Sequence, residues 1–328
     1  MSTAFVTGAT GQTGSYLVEN LVHRGWQVHA LAREGDRPAS LVGLGVEFHT
    51  GDLMDSSRIG PILTDVSPSV IINLAALSSV AASWREPMLT AEINGLAVAA
   101  LLDGAYQLQQ QRGEPVSFVQ ASSAEIFGDA LMNPQNELTP IAPVNPYGAS
   151  KAYAHLLAGA YRKAGLSASS VILYNHESPR RPEQFVTRKI TLAAARIKAG
   201  LQSSVTLGDL TIRRDWGWAP DYADAIARIA TGDVAGDFVV ATGESHTIED
   251  FVRAAFDSAG IADWRSHVDT DPALQRPADA ADLRGDASKI RETYGWGPTV
   301  GFNEIVRRMV EADVAALRPR ASPPNRGT

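Results

Sequence analysis

Residues 7–14 read TGATGQTG, and this stretch decides the fold class. It places Gly8, Gly11 and Gly14 three residues apart, directly after a short apolar run and at the start of a helical pattern over Gln12–Arg24. Glycine is needed where a phosphate must approach the backbone closely, and the free N–H groups of a helix N-terminus then bind the anion. A glycine-rich turn without a ligand is the alternative, but the strand–turn–helix context predicts a dinucleotide site.

The rest of the first half alternates short apolar runs with helical patterns. Apolar strands separated by helices are typical of a parallel sheet that is covered on both faces. We therefore predict an α/β fold, a doubly wound parallel sheet of the Rossmann type, with ligands at the carboxyl ends of its strands. The predicted strands are 4–7, 27–32, 46–49, 70–74, 116–120 and 169–173, and the predicted helices are 12–24, 56–66, 87–111 and 147–164.

The second half is less regular and predicts a smaller, C-terminal substrate-binding lobe that is interleaved with the sheet. Its predicted helices are 185–199, 222–230, 248–258 and 302–317. Thr247 and Asp250 resemble a capping box with Asp in place of Glu. We assign residues 1–174 mainly to the dinucleotide-binding domain, 175–317 mainly to the lobe, and the Pro-rich stretch 318–328 to a disordered tail.

Composition excludes several classes of protein. The chain has 328 residues, no cysteine and a formal net charge of -7, so disulfides, thiolate catalysis and a general nucleic-acid binder are not expected. We find no signal peptide and no apolar stretch of about 18 residues, and we expect a cytoplasmic protein without a membrane span. The seven histidines form no ligand pair with helical spacing, so no metal site is expected.

The end of the second predicted strand bears on the choice of cofactor. An acidic residue there would bind the ribose hydroxyls of NAD, whereas an arginine suits the 2′-phosphate of NADP. Arg33 favours NADP, although Glu34 stands beside it and a solvated charge pair is the alternative. Asp52 and Leu53, after the third strand, would suit contacts with the adenine ring.

Three residues predict a hydride-transfer site. Tyr147 and Lys151 are four residues apart at the start of a predicted helix, so their side chains share one face. A tyrosine is a poor base at pH 7 because its pKa is about 10, and a nearby ammonium group would lower that pKa. Ser123 lies at the carboxyl end of the predicted strand 116–120, where its hydroxyl can bond both a substrate oxygen and the tyrosine.

Glu125 separates two kinds of chemistry. It stands two residues beyond Ser123, in the loop that would face the same substrate. A simple reductase has no use for this carboxylate, whereas a dehydratase needs one group that acts as base and then as acid. A solvated loop glutamate is the alternative.

Longer motifs carry a family resemblance that spans the chain to about Leu317. The chain resembles the GDP-mannose 4,6-dehydratases, within the extended short-chain dehydrogenases. The motifs are TGATGQTGSYL (7–17), GDLMDSS (51–57), NLAALSSVAASW (73–84), QASSAEIFG (120–128), NPYGASKAYA (145–154), LYNHESPRRPEQFVTRKIT (173–191), LGDLTIRRDWGWAPDY (207–222) and VVATGESHTIEDFV (239–252).

The resemblance implies site residues, a mechanism and an assembly. Tyr147 would take the proton of the sugar 4-hydroxyl as hydride leaves carbon 4, and Glu125 would remove the carbon 5 proton as water leaves carbon 6. A homodimer through helices 87–111 and 147–164 is implied, with a tetramer as the alternative. The implied NADP contacts are Gly8, Thr10, Gly11, Gln12, Thr13, Gly14, Arg33, Asp52, Leu53, Leu74, Ala75, Ala76, Tyr147 and Lys151. The implied contacts with a GDP-sugar are Ser78, Glu125, Asn175, Lys189, Arg214, Arg276 and Asp279, while Arg180, Arg181, Arg188 and Arg213 are assigned to structure or an interface.

The chain departs from the family pattern in places. Glu34 stands where a second arginine is usual, the segment to Val46 is short, and Asp279 replaces a glutamate. The alternatives are therefore a 4,6-dehydratase of another nucleotide sugar, such as a GDP-heptose, a GDP-4-keto-6-deoxymannose reductase, which would not need Glu125, and a non-catalytic NADP-binding regulator.

Overall fold

The computed structural model describes residues 2–317. Its strands are β1 (Thr3–Thr7), β2 (Gln27–Ala32), β3 (Glu47–Thr50), β4 (Val70–Asn73), β5 (Ser117–Ser123), β6 (Ser167–Leu173), β7 (Asn175–Glu177), β8 (Val205–Leu207), β9 (Arg213–Trp218), β10 (Asp237–Val240), β11 (Ser245–Thr247), β12 (Val268–Thr270) and β13 (Asp282–Leu283). Its helices are α1 (Gln12–His23), α2 (Ser56–Val66), α3 (Val80–Arg85), α4 (Pro87–Ala91), α5 (Ala97–Arg112), α6 (Pro146–Lys163), α7 (Val186–Lys198), α8 (Ala219–Thr231), α9 (Ile248–Ala259), α10 (Ser288–Tyr294) and α11 (Phe302–Leu317).

Seven strands form one parallel sheet in the order β10-β6-β5-β4-β1-β2-β3. All four residues of β4 are buried, as expected for a strand that is covered on both faces. The chain runs from β1 outward to β3 and then crosses to β4, on the other side of β1. This reversal opens a crevice at the carboxyl ends of β1 and β4 and confirms the predicted doubly wound fold.

A layer of helices packs on each face of the sheet. Because successive strand residues point to opposite faces, Phe5 joins the cluster formed with α2, α5 and α6, while Val6 joins the cluster formed with α1 and α8. Both side chains are fully buried. The two clusters hold the strand ends, and therefore the crevice, in a fixed arrangement.

Residues from the second half build a third core and also return to the large sheet. Helices α7, α9 and α11 pack around Trp216, and β9 pairs with β7, β11 and β13 in a smaller sheet. The predicted capping box is confirmed, because Asp250 donates its N–H to Thr247 Oγ1 and accepts from the Thr247 N–H. Strand β10 lies beside β6 in the large sheet.

The predicted strands and helices are all present, with ends that differ by a few residues. The predicted helix 87–111 is continuous, but a π turn over Glu92–Leu96 separates α4 from α5. Helices α3 and α10 were not predicted, because each is too short to show a full apolar period. The predicted tail, 318–328, lies outside the described residues.

The helical stretch Pro87–Arg112 bears on the expectation of no membrane span. Among the described residues it is long and apolar enough to cross a membrane by length and composition. A core helix of a globular protein satisfies the same criterion. In Pro87–Arg112, 44% of the apolar 18-residue segment that meets it is buried inside the protein. It packs against α2 and α6, so we interpret it as a core helix.

Candidate active site

The glycine turn lies at the carboxyl end of β1 and cannot accept side chains. Gly8 has a φ of +69°, and a Cβ there would stand 2.6 Å from the backbone of Leu74 and Ala75. A Cβ on Gly14 would collide with the Gly8 carbonyl oxygen. Helix α1 follows with no side-chain cap and no acidic residue in its first turn, so its N–H groups are available to an anion.

Two side chains of α1 tie the glycine turn to the segment after β6. Gln12 donates to the His176 carbonyl oxygen and accepts from Ser178, at 2.9 Å in each case. Thr13 Oγ1 lies 2.7 Å from His176 Nε2, and His176 Nδ1 lies 2.8 Å from the Tyr174 carbonyl oxygen. Burial lowers the pKa of His176 to about 4, so the ring is neutral, donates from Nδ1 and accepts from Thr13.

The end of β2 presents a cluster of charges to solvent. Arg33 and Glu34 are both exposed, and Arg33 makes no ion pair within residues 2–317. Thr10 does not line the cleft described below. Its hydroxyl instead donates to Asp36 Oδ2 at 3.0 Å. Asp36, which sequence analysis did not single out, therefore links the glycine turn to the loop that follows β2, where its N–H donates to the Arg33 carbonyl oxygen at 3.1 Å.

The predicted adenine contacts differ in their surroundings. Asp52 is exposed and accepts from the Met54 N–H at 2.9 Å. Leu53 is buried in the cluster under α2 and α5. Leu74 and Ala76 line the cleft, whereas the Ala75 N–H faces Thr7 Oγ1 at 3.3 Å.

The four predicted catalytic residues converge on one cleft. Ser123 ends β5, Glu125 lies in the 3-10 turn that follows, and Tyr147 and Lys151 lie in the first turns of α6. Lys151 Nζ donates to the Ala121 carbonyl oxygen at 2.9 Å and lies 5.9 Å from the centre of the Tyr147 ring. All four residues are buried, so they can act away from bulk water.

The pKa values of Tyr147 and Lys151 correct the predicted direction. Burial raises the pKa of Tyr147 to about 12, although Ser123 and Arg181 lower it. Burial also lowers the pKa of Lys151 to about 8. The cost of desolvating each charge exceeds the favourable contacts, so in the chain alone the tyrosine is a neutral phenol rather than the predicted phenolate.

A chain of charged groups extends from Glu125 to the lobe. Glu125 Oε2 accepts from Asn145 at 2.8 Å, and Oε1 lies 4.0 Å from the Arg214 guanidinium. Arg214 also donates to Asp279, to which Arg276 donates at 2.9 Å. These contacts connect the carboxylate at the strand end with the wall of the lobe.

The cleft has a volume of about 760 Å³ and runs from the glycine turn to the lobe. Lys189 donates to the Thr206 carbonyl oxygen at 2.7 Å at its rim. The predicted residues that line the cleft are Gly8, Gly11, Gln12, Thr13, Gly14, Leu74, Ala76, Ser78, Ser123, Glu125, Tyr147, Lys151, Asn175, Lys189, Arg214, Arg276 and Asp279. Thr10, Arg33, Asp52, Leu53 and Ala75 are not among its lining residues.

Sequence analysis misassigned Arg181 and missed the role of Asn145, which contacts Glu125. Arg181 was assigned to structure or an interface, yet it lines the cleft, with its guanidinium 3.7 Å from the centre of the Phe185 ring and 3.3 Å from Glu177. Asn145 was named only as the start of the motif 145–154, and its role as a cap was missed, although an Asn-Pro pair at the start of a helix is a signal for a cap. Arg180, in contrast, binds Ser15 and Glu19 of α1, as a structural residue would.

Sequence analysis expected no metal site, and it did not identify a group of possible ligands that the structure brings together. His29, Glu47 and His49 place their ligand atoms within 4.8 Å of one another. They meet across β2 and β3, so helical spacing could not reveal them.

Comparison with known proteins shows the family of the chain. The model of the family described as GDP-mannose 4,6 dehydratase matches residues 5–309. GDP-mannose 4,6 dehydratase 1 of Arabidopsis thaliana is 42% identical, with 95% of this chain and 89% of that protein covered. The human GDP-mannose 4,6 dehydratase is 37% identical, with 96% and 92% covered.

Solved structures share the fold. UDP-glucose 4-epimerase of Thermus thermophilus, in complex with NAD, has a TM-score of 0.83 and 30% identity, over 96% of this chain and 100% of that one. RMD from Pseudomonas aeruginosa, complexed with NADPH, has a TM-score of 0.78 over 96% and 100%. Its 24% identity supports the fold alone. With a family model that matches most of its length and relatives covered almost end to end, this chain belongs to the GDP-mannose 4,6 dehydratase family.

Proposed function

We propose that this chain converts GDP-mannose to GDP-4-keto-6-deoxymannose by internal hydride transfer and loss of water. The observation that carries the proposal is the convergence of Glu125 with Ser123, Tyr147 and Lys151 in one cleft. A hydride-transfer triad alone suits a reductase or an epimerase. The buried carboxylate adds the base and acid that an elimination needs.

The proposed cofactor is NADP, bound with its diphosphate at the glycine turn. The fit rests on Gly8 and Gly14, where any Cβ would collide with backbone, and on the uncapped N-terminus of α1. Arg33 is exposed at the end of β2 and suits a 2′-phosphate. Bound NADP would accept a hydride and later return it, and the positive charge of its oxidised form would favour a Tyr147 phenolate.

Tyr147 is the proposed acceptor of the proton on the sugar 4-hydroxyl. A hydrogen bond with Ser123 and the positive charge of Arg181 both lower the pKa of the Tyr147 phenol. Lys151 holds its Nζ under the same ring. Burial outweighs Ser123 and Arg181 and leaves the pKa of Tyr147 at about 12, so we propose that the positive charge of the oxidised cofactor is what would favour the ionised form that takes the proton.

Glu125 is the proposed base at carbon 5 and the acid at carbon 6. The hydrogen bond from Asn145 to Oε2 fixes the carboxylate, and Oε1 is left towards Arg214 and the cleft. Once carbon 4 is a ketone, the carbon 5 proton is acidic enough for a carboxylate to remove. The same group then protonates the departing hydroxyl, so that water leaves from carbon 6.

The lobe is the proposed binding site of the nucleotide diphosphate. Lys189 and Arg276 line the cleft there, and cationic side chains suit a diphosphate. Arg214 already donates to the Arg213 and Ala280 carbonyl oxygens and to Asp279. We therefore propose that Arg214 also positions Asp279 and Glu125. Ser78 and Asn175 are the residues proposed to face the sugar.

A homodimer through the stretch α4–α5 and helix α6 is the proposed assembly. Exposed apolar side chains cluster there, with Met88 73%, Leu96 61%, Leu156 59% and Tyr153 46% exposed. Apolar side chains that repeat along two neighbouring helices are typical of a protein interface. A tetramer would need a further surface.

The direct test is to incubate the purified protein with GDP-mannose and a catalytic amount of NADP and to follow the sugar by mass spectrometry. Loss of one water without accumulation of NADPH would support the proposal. If GDP-mannose is unchanged while another nucleotide sugar loses water, the substrate is wrong but the chemistry is right. No turnover across a panel of nucleotide sugars would contradict the proposal and favour a non-catalytic regulator.

A further inference from the structure

Two histidines and a glutamate meet at the edge of the large sheet, away from the cleft. His29 lies on β2, and Glu47 and His49 lie on the edge strand β3. The strands pair in parallel, with His29 opposite Glu47 and Leu31 opposite His49. Since alternate residues of a strand share a face, the register brings all three side chains to the same face of the sheet.

The distances between their polar atoms suit a small metal ion. His29 Nδ1 lies 2.9 Å from His49 Nε2 and 3.7 Å from Glu47 Oε2. A tetrahedral zinc ion, with bonds of about 2.0–2.2 Å, holds neighbouring ligand atoms roughly 3.3 Å apart. The two observed distances lie on either side of that value, and all three ligand atoms lie within 4.8 Å of one another. Seating the ion would move the two histidine nitrogens slightly apart and bring Glu47 closer.

We propose that His29, Glu47 and His49 bind a divalent transition-metal ion of the zinc type. Two imidazole nitrogens and one carboxylate oxygen form a common three-ligand set for this ion, and water completes the tetrahedron. Glu47 has 60% of its side chain exposed and His29 only 9%. The ion can therefore enter from solvent at Glu47 and reach a ligand that the sheet holds in place.

The ion would join the edge strand to the body of the sheet. Strand β3 has β2 as its only partner among the described strands, and the 33–46 segment between them carries Arg33 and Asp36. The proposed role is structural, because the site lies on the face that packs under α2 and α5, outside the cleft. Metal binding would stabilise the fold by mass action.

A zinc titration of the tag-free protein, by calorimetry at pH 7.5, tests the proposal. The wild type should bind one equivalent of Zn²⁺ and show a rise in melting temperature. His49→Asn should weaken the binding at least about tenfold and abolish the rise. His23→Asn is the matched control, because His23 is an exposed histidine on α1, away from the three proposed ligands, with its Nδ1 2.6 Å from the Glu19 carbonyl oxygen.

A second variant separates ligand loss from misfolding. Glu47→Gln changes an exposed side chain and should leave the fold and NADP binding intact, yet it should also weaken Zn²⁺ at least about tenfold. If His49→Asn and Glu47→Gln both bind Zn²⁺ as the wild type does, or if the wild type takes up none, the proposal is overturned. Cobalt binding should give the visible absorption of a four-coordinate ion in the wild type and in the His23→Asn control, but not in His49→Asn or Glu47→Gln.

Discussion

The side-chain amide of Asn145 donates to Glu125 Oε2 at 2.8 Å, while its Oδ1 accepts from the Gly148 N–H at 2.8 Å. One residue therefore caps the helix that carries Tyr147 and also orients the carboxylate. A Cβ on Gly148 would collide with the Glu125 carbonyl oxygen, so glycine lets the start of α6 approach this turn. The proton acceptor at carbon 4 and the base at carbon 5 are thus held in one unit.

Glu125→Gln should reduce the loss of water by about 10²–10⁴-fold, because the amide cannot remove the carbon 5 proton. NADP affinity should be unchanged, since Glu125 lies outside the glycine turn. Turnover is measured by mass spectrometry and binding by calorimetry, with the exposed Glu114→Gln as control. Wild-type turnover in the Glu125 variant would remove it from the mechanism.

Arg33→Ala should weaken NADP binding about 10–100-fold and leave NAD binding nearly unchanged, because only NADP carries the phosphate that the guanidinium would bind. The dissociation constants of the wild type and the variant for NADP and for NAD test this prediction. Glu34→Gln is the neighbouring control and should not weaken NADP. Equal losses for the two cofactors in Arg33→Ala would refute the 2′-phosphate role.

Lys151→Met should stabilise the ligand-free protein at pH 7 by up to roughly 3 kcal/mol while abolishing activity. The pKa of Lys151 falls from 10.5 to about 8 on folding. Between pH 8 and pH 10.5 the unfolded chain binds more protons at this group than the folded chain does. The lysine therefore makes the wild type more stable as the pH rises through this range and less stable as the pH falls through it.

The gain from Lys151→Met should therefore shrink between pH 8 and pH 10.5. Thermal unfolding of wild type and variant across this range measures it. The Ala121 carbonyl oxygen keeps a partner in the variant, because Gln120 also donates to it. A gain that is independent of pH would show that packing, rather than the buried charge, is responsible.

Leu156→Glu should convert the proposed homodimer to a monomer, because it places a charge in the exposed apolar surface of α6. Light scattering coupled to size-exclusion chromatography measures the mass. Leu131→Glu is the matched control, since Leu131 is fully exposed but lies outside the two helices. A dimer that survives Leu156→Glu, or a wild type that is already monomeric, would contradict this assembly.

Local spacing accounts for what the sequence could predict. The three glycines, the pair Tyr147 and Lys151, and the pair Ser123 and Glu125 each lie within one turn, strand end or helix. Their relative positions follow from the period of that element. The crevice then follows from the order of strands in a doubly wound sheet.

What the sequence could not predict depends on contacts between distant segments. His29 meets Glu47 and His49 only through the register of β2 and β3. Arg181 reaches the cleft through the path of the chain after β7. The pKa of Tyr147 rises because the whole cleft buries it, and no spacing along the chain reports the extent of burial.

Internal hydride transfer at this site is tested most directly with GDP-mannose that carries deuterium at carbon 4 of the mannose. After incubation with the protein and catalytic unlabelled NADP, mass spectrometry and NMR locate the label in the product. The account predicts a product that has lost one water and carries the deuterium at carbon 6. Deuterium that stays at carbon 4, or a water-depleted product whose label has passed to solvent, would contradict it.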